Sequence, residues 1–149
     1  MIIKSLEQLN QISLKIIKKI SSQDCIFLFG EIGAGKTTLT RAIINNLQTQ
    51  SKQNETEVLS PTFNIVYEYE IINFKIMHYD LYRLNTDKEI EQLNIFEQEI
   101  NSIKIIEWAE IIKEKPDDRL EIYLRHKHEK NLRSIEFKTF GKWKNFNAN

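Results

Sequence analysis

Three of the chain's four glycines stand at positions 30, 33 and 35. They belong to Gly30-Glu31-Ile32-Gly33-Ala34-Gly35-Lys36-Thr37, a G-x-x-x-x-G-K-T pattern. An apolar run, Ile26 to Phe29, precedes it and predicts a buried strand. Leu39, Ala42, Ile43 and Leu47 follow at helical spacing. Strand, loop and helix in that order are the setting of a phosphate-binding loop, the Walker A motif. Glycines let the backbone curl until successive N–H groups face one anion. The helix beginning near Lys36 adds the positive end of its dipole. In such a loop the lysine reaches the β- and γ-phosphates and the hydroxyl of Thr37 can coordinate Mg²⁺. The motif therefore predicts a nucleoside triphosphate as ligand.

The length of 149 residues suits one domain, residues 1–149, with a single core. Lys and Arg number 21 and Asp and Glu number 21, so no overall field draws the chain to nucleic acid. RNA, if involved, is expected to be handled through a partner. Cys25 is the only cysteine, which excludes an intrachain disulfide and a cysteine-based metal site. No apolar run approaches membrane-spanning length. The N-terminal Met1-Ile2-Ile3-Lys4-Ser5-Leu6-Glu7 lacks arginine and carries an acid, so it reads as part of the fold rather than a transit segment. A cytoplasmic location is expected.

Along the chain, Ser5 with Gln8 forms a capping box, and Leu6, Leu9, Ser13, Ile16, Ile17 and Ile20 predict an amphipathic first helix. The helix after the loop is expected to end near Leu47, and Thr49 to Glu57 to be a polar surface loop. Val58-Leu59 reads as a short strand broken by Ser60-Pro61. Ile65–Ile72 and Phe74–Tyr79 predict an antiparallel hairpin around Asn73. Asp87–Leu93 predicts a short helix capped by Thr86 or Asp87. Ile103–Ile106 predicts a buried strand ending at Glu107-Trp108. After a turn at Pro116-Asp117-Asp118, Leu120–Leu124 and Ser134–Phe137 predict two terminal strands. The expected architecture is α/β: a three-layer P-loop NTPase fold with a mainly parallel sheet, an antiparallel hairpin and edge, and flanking helices.

A phosphate loop needs an acid at the end of a neighbouring strand to hold Mg²⁺ or to orient the attacking water. Glu107 and Asp80 both follow apolar strands, although a lone acid in such a place is more often a surface carboxylate. Read alone, His78 is a structural residue on its strand, and His126 and His128 lie in a solvated basic turn rather than a metal site. Trp108 is either a core anchor or the rim of the site. Thr62 is either a turn residue or a hydroxyl that senses the γ-phosphate.

With these pieces in order, Gly-Glu-Ile-Gly-Ala-Gly-Lys-Thr-Thr, then Ser60-Pro61-Thr62-Phe63, then His78-Tyr79-Asp80-Leu81-Tyr82-Arg83-Leu84, then Ile106-Glu107-Trp108-Ala109-Glu110 resemble the successive motifs of the TsaE family. These are small bacterial ATPases of tRNA threonylcarbamoyladenosine synthesis. The His-Tyr-Asp-Leu-Tyr-Arg-Leu stretch is the most discriminating, since phosphate loops occur in many unrelated proteins. The resemblance implies ATP and Mg²⁺ as cofactors. It implies that Lys36 and the loop Glu31, Ile32, Gly33, Ala34, Gly35, Thr37 and Thr38 hold the phosphates. It makes Thr37 and Glu107 the Mg²⁺ ligands, Asp80 the second essential acid, and Thr62 part of a switch-like loop. Trp108 is placed beside the site, Ser5 and Leu6 near the adenine, and Arg133 near the nucleotide. Ile32 replaces the family's usual leucine, and the tail Phe140–Asn149 matches no motif. The resemblance further implies a protein that transfers no threonylcarbamoyl group itself. It implies binding to a TsaB–TsaD transferase complex, which slow ATP hydrolysis resets, with tRNA met only through that complex.

Two other classes compete. A small-molecule kinase needs an acceptor pocket and usually an arginine-bearing lid, and none of the five arginines cluster as one. A binding switch would use ATP only as a conformational ligand. A GTPase is disfavoured because no N-K-x-D motif occurs.

Overall fold

The structure, a computed structural model, describes residues 1–127 and 132–148. Its centre is β2 (Cys25–Phe29), all five residues of which are buried. A strand apolar on both faces belongs inside a sheet covered on both sides. It pairs in parallel with β5 (Ser102–Glu107) on one flank and with β6 (Arg119–His126) on the other. Beyond β5 lies the parallel β4 (Phe74–Asp80), and beyond that the antiparallel β3 (Val66–Ile71), joined to β4 by a turn at Ile72-Asn73. Beyond β6 comes the antiparallel β7 (Arg133–Phe140), then β1 (Ile2–Ile3), also antiparallel. The order across the sheet is β1-β7-β6-β2-β5-β4-β3.

Two helices cover one face. From α1 (Leu6–Ile17) come Leu9, Ile12 and Ile16, and from α2 (Lys36–Gln50) come Leu39, Ile43, Ile44 and Leu47. They pack on Ile26, Leu28, Ile76, Ile103, Ile105 and Ile122 of the sheet. The opposite face carries Phe27, Phe29, Met77, Tyr79 and Ile106, packed with Ile95, Ile112 and the inner side of α3 (Asp87–Leu93). Each fully buried aliphatic or aromatic side chain contributes about 1.5–3 kcal/mol. The three-layer α/β architecture expected from the sequence is thus present.

Several boundaries differ from expectation. Gln8 does reach back, but its Oε1 accepts the N–H of Lys4, while its own N–H donates to Ser5 Oγ at 3.2 Å. The second helix runs past Leu47 to Gln50, shortening the expected loop. No strand forms at Val58-Leu59. The Val58 side chain is buried, and its carbonyl accepts both Nε and Nη2 of Arg41, at 3.0 and 2.9 Å, in place of a neighbouring strand. The terminal strands are longer than expected at both ends. Thr86 caps α3 through a reciprocal pair with Glu89. The expectation for His128 falls outside the described residues. Among the described residues no helix is long and apolar enough to cross a membrane.

The tail that matches no motif closes the core. Trp143 is 0% exposed and meets the Phe146 ring edge-on at 5.5 Å. The Lys142 ammonium lies 2.6 Å from the carboxylate of Asp24, which is itself buried. Lys15 Nζ donates to the Ala148 carbonyl at 2.9 Å, tying the tail to α1.

Trp143→Ala leaves a large cavity beside α1 and is expected to destabilise the fold by about 3–5 kcal/mol. The shift of the urea midpoint, with an unchanged slope, measures it.

Candidate functional site

Gly30 ends β2 at φ +139°, and a Cβ there would lie 2.1 Å from the Leu124 carbonyl oxygen. Only glycine lets the chain leave β2 so close against β6. Gly35, at φ +108°, occupies the N-cap of α2. Between them the loop bends so that Lys36 folds back over it. Its Nζ donates to the carbonyls of Gly30 and Glu31 at 2.5 and 2.9 Å. It also lies 3.9 Å from the centre of the Trp108 ring. Burial lowers the pKa of this ammonium, and the carboxylates of Glu107, Glu110, Asp80 and Glu31 oppose that shift.

The acids come from the neighbouring strands. Glu107 ends β5 opposite Leu28 of β2, and Asp80 ends β4 opposite Glu107. All three therefore stand at the C-terminal edge of the parallel strands, where open α/β sheets hold ligands. Thr37 Oγ1 donates to Glu107 Oε2 at 3.0 Å across the start of α2. The other oxygen, Oε1, lies 2.8 Å from His78 Nε2. Asp80 Oδ2 accepts hydroxyl hydrogens from Ser60 at 2.7 Å and Thr62 at 2.9 Å, and its Oδ1 accepts the Tyr82 N–H at 3.0 Å. The segment holding those hydroxyls is fixed at its far end by Ile65. That β-branched residue stands at φ +69° and its carbonyl accepts the Asp80 N–H at 2.9 Å. Such a conformation is costly for isoleucine and persists only where the surroundings impose it.

Ile32, Gly33, Gly35, Lys36, Thr37, Thr38, Thr62, Asp80, Glu107 and Trp108, all singled out in the sequence, line one cleft of about 320 Å³. Ser60 and Tyr82 complete its lining, and the Tyr82 ring sits 4.7 Å from Trp108. Ser5, Leu6, Ala34 and Arg133 instead line a second cavity of about 250 Å³, which shares Gly35 and Thr38 with the first and has Ile3, Leu9 and Leu124 as its apolar walls. Glu31 lines neither; its carboxylate accepts the His126 N–H at 3.3 Å. Arg133 Nη2 donates to the Gly33 carbonyl at 3.4 Å, and His126 Nε2 to that of Ile32 at 3.3 Å. The exposed His126 thus braces the loop, a contact that its basic surroundings in sequence did not suggest.

Ser60, Tyr82 and His78 had not been placed at a site from sequence. His78 precedes Asp80 by two positions on one strand, so both side chains share a face. That spacing was the available signal. The arrangement can hold a polyphosphate with the loop N–H groups, the α2 terminus and Lys36. The Thr37 hydroxyl and the Glu107 carboxylate are hard oxygen donors of the kind Mg²⁺ takes, and they already stand side by side, so the residues present fit that ion.

A family model described as threonylcarbamoyl adenosine biosynthesis protein TsaE matches residues 3–135. A Rickettsia felis protein named tRNA threonylcarbamoyladenosine biosynthesis protein TsaE is 38% identical over 114 residues, 76% of this chain and 64% of its own length. The Aquifex aeolicus protein of the same name is 32% identical over 133 residues, covering 89% of this chain and 92% of its own. The match to the Rickettsia felis relative thus takes in slightly under two thirds of that protein. Among solved structures, YdiB of Bacillus subtilis superposes with a TM-score of 0.68 over 95% of this chain and 84% of its own, at 24% identity, which supports the fold.

Ser60→Ala combined with Thr62→Val removes both hydroxyl donors from Asp80 while leaving the sheet intact. Hydrogen bonds to a charged acceptor are worth about 1.5–3 kcal/mol each. Amide hydrogen exchange in residues 62–65 is therefore expected to speed up at least about 10-fold, with little change in β2 or β5. Unchanged protection would show that other contacts fix the segment.

Proposed function

Since the chain belongs to the TsaE family, we propose that it is a Mg²⁺-dependent ATPase serving threonylcarbamoyladenosine synthesis in tRNA. The observation that carries the reading is the Thr37–Glu107 hydrogen bond beside the Lys36 ammonium. It joins the helix start after a glycine-rich loop to an acid on the next strand, which is the pairing that phosphoryl chemistry requires.

In this reading the N–H groups of residues 31–38 and the N-terminus of α2 surround the phosphates. Lys36 exchanges the Gly30 and Glu31 carbonyls for phosphate oxygens. Thr37 and Glu107 hold Mg²⁺, which when bound neutralises charge between the β- and γ-phosphates. Asp80 is the second acid. Its contact with Thr62 gives the γ-phosphate a hydroxyl to compete for, so the segment 60–65 rearranges with the nucleotide bound. Trp108 and Tyr82 wall the phosphate cleft. The second cavity, with Ser5, Leu6 and Arg133, receives the adenosine end. The nucleotide-dependent segment carries Phe63, which is 82% exposed. A TsaB–TsaD-type transferase complex reads it, slow hydrolysis resets that complex, and the chain itself transfers no threonylcarbamoyl group.

The test is ATP hydrolysis by the protein alone and with the two-subunit transferase complex, with and without tRNA. Complex formation with partner-dependent turnover is expected. Binding without turnover would make ATP only a conformational ligand. Lys36→Ala should lose nucleotide binding or turnover, about 100-fold or more; full activity would overturn the site. Glu107→Ala should move the Mg²⁺ titration to higher concentration, and an unchanged curve would remove Glu107 from the metal site.

A further inference from the structure

Glu107 has two carboxylate oxygens, and among the described residues each has one hydrogen-bond partner. Oε2 accepts from the Thr37 hydroxyl, and Oε1 faces His78 Nε2 at 2.8 Å. His78 is 0% exposed and Glu107 is 2% exposed. With a Glu107 oxygen as the acceptor, the hydrogen of this bond belongs on Nε2. The other ring nitrogen, Nδ1, is buried with no polar partner among the described residues. Tyr69 lies nearby, with its ring centre 6.5 Å from the imidazole.

A purely structural side chain at this place would be apolar, because leucine fills similar space without burying an unpaired nitrogen. Among the described residues the imidazole has one hydrogen-bond partner, and that partner is an acid of the site. Without it the Glu107 carboxyl group could turn about its last bond and offer either oxygen, or both, to the cleft. With it, one oxygen is committed to the sheet interior and the other is directed at Thr37.

We propose that His78 is a positioning residue. Its Nε2–H fixes Oε1 of Glu107 so that Oε2 alone, beside the Thr37 hydroxyl, faces the divalent cation. The proposal rests on the Mg²⁺–ATP reading for its consequence, while the tautomer it requires is measurable in the metal-free protein.

Two measurements test it. Nitrogen-15 NMR of the metal-free protein is expected to show the His78 ring as the Nε2–H form, with signals that move in Glu107→Gln. The Nδ1–H form would overturn the proposal whatever the protein's activity. Binding of Mn²⁺ with a non-hydrolysable ATP analogue, followed by electron paramagnetic resonance, reads the consequence. His78→Leu should weaken Mn²⁺ about 10-fold, and His78→Gln, which returns an N–H near the same point, should recover most of that loss. Nucleotide affinity measured in EDTA should stay within about 2-fold of wild type, because the loss belongs to the metal. Equal losses in both variants would mean that the N–H is not what Mn²⁺ binding depends on and would overturn the positioning role. So would no loss in His78→Leu. A wild-type protein that binds no Mn²⁺–nucleotide would overturn the ATPase reading and the positioning role with it.

Discussion

Leu28 stands opposite Glu107 in one parallel pair, and Glu107 stands opposite Asp80 in the next. This register decides where the acids are. A slip of one residue along β5 would turn Glu107 to the other face of the sheet, away from Thr37 and toward Phe27 and Met77. What prevents the slip is apolar matching on both faces. Ile103 and Ile105 belong to the core under α1 and α2, whereas Ile106 belongs to the core on the α3 side. The hydrophobic pattern that builds the sheet therefore also sets the distance between a helix start and a strand end. The register itself brings the start of α2 and the end of β5 to one edge of the sheet.

The same matching explains what could be read in the sequence. β2, its loop and α2 were legible because their apolar periods are strong and local, and the β3–β4 hairpin because its two strands flank a short turn. Glu107 and Asp80 were legible as acids closing apolar strands. β1 was not, since two residues carry no period and their partners, Ser134 and Arg133, lie at the far end of the chain. Strand order was out of reach for a related reason: it depends on pairings between distant segments. Val58-Leu59 misled because apolar character alone does not make a strand. Val58 is buried as one would expect, but an arginine satisfies its carbonyl.

His78 shows where residue-by-residue reading falls short. Taken alone, a histidine on an apolar strand is ordinary core. Its meaning comes from an acid 29 positions later on the adjacent strand. The Phe140–Asn149 tail is the converse case. It resembles no motif, yet Trp143 and Phe146 pack against each other and Trp143 is wholly enclosed. The family match ends at residue 135, so part of this core is supplied by sequence outside the shared pattern.

The pairing of β1 with β7 has a further consequence for how the protein is made. Met1 and Ile135 exchange hydrogen bonds, 134 positions apart, and the cavity beside Gly35 is walled by Ile3 and Leu6 on one side and Arg133 on the other. As the chain leaves the ribosome, the glycine-rich loop, α2 and both acids emerge well before that last wall exists. The cleft around Thr37 and Glu107 can be outlined early, while the neighbouring cavity waits for β6 and β7. Closing so long a loop is slow relative to local pairing. The lining of the cleft, which ends at Trp108, is thus synthesised in full before Leu124 and Arg133 complete the lining of the second cavity.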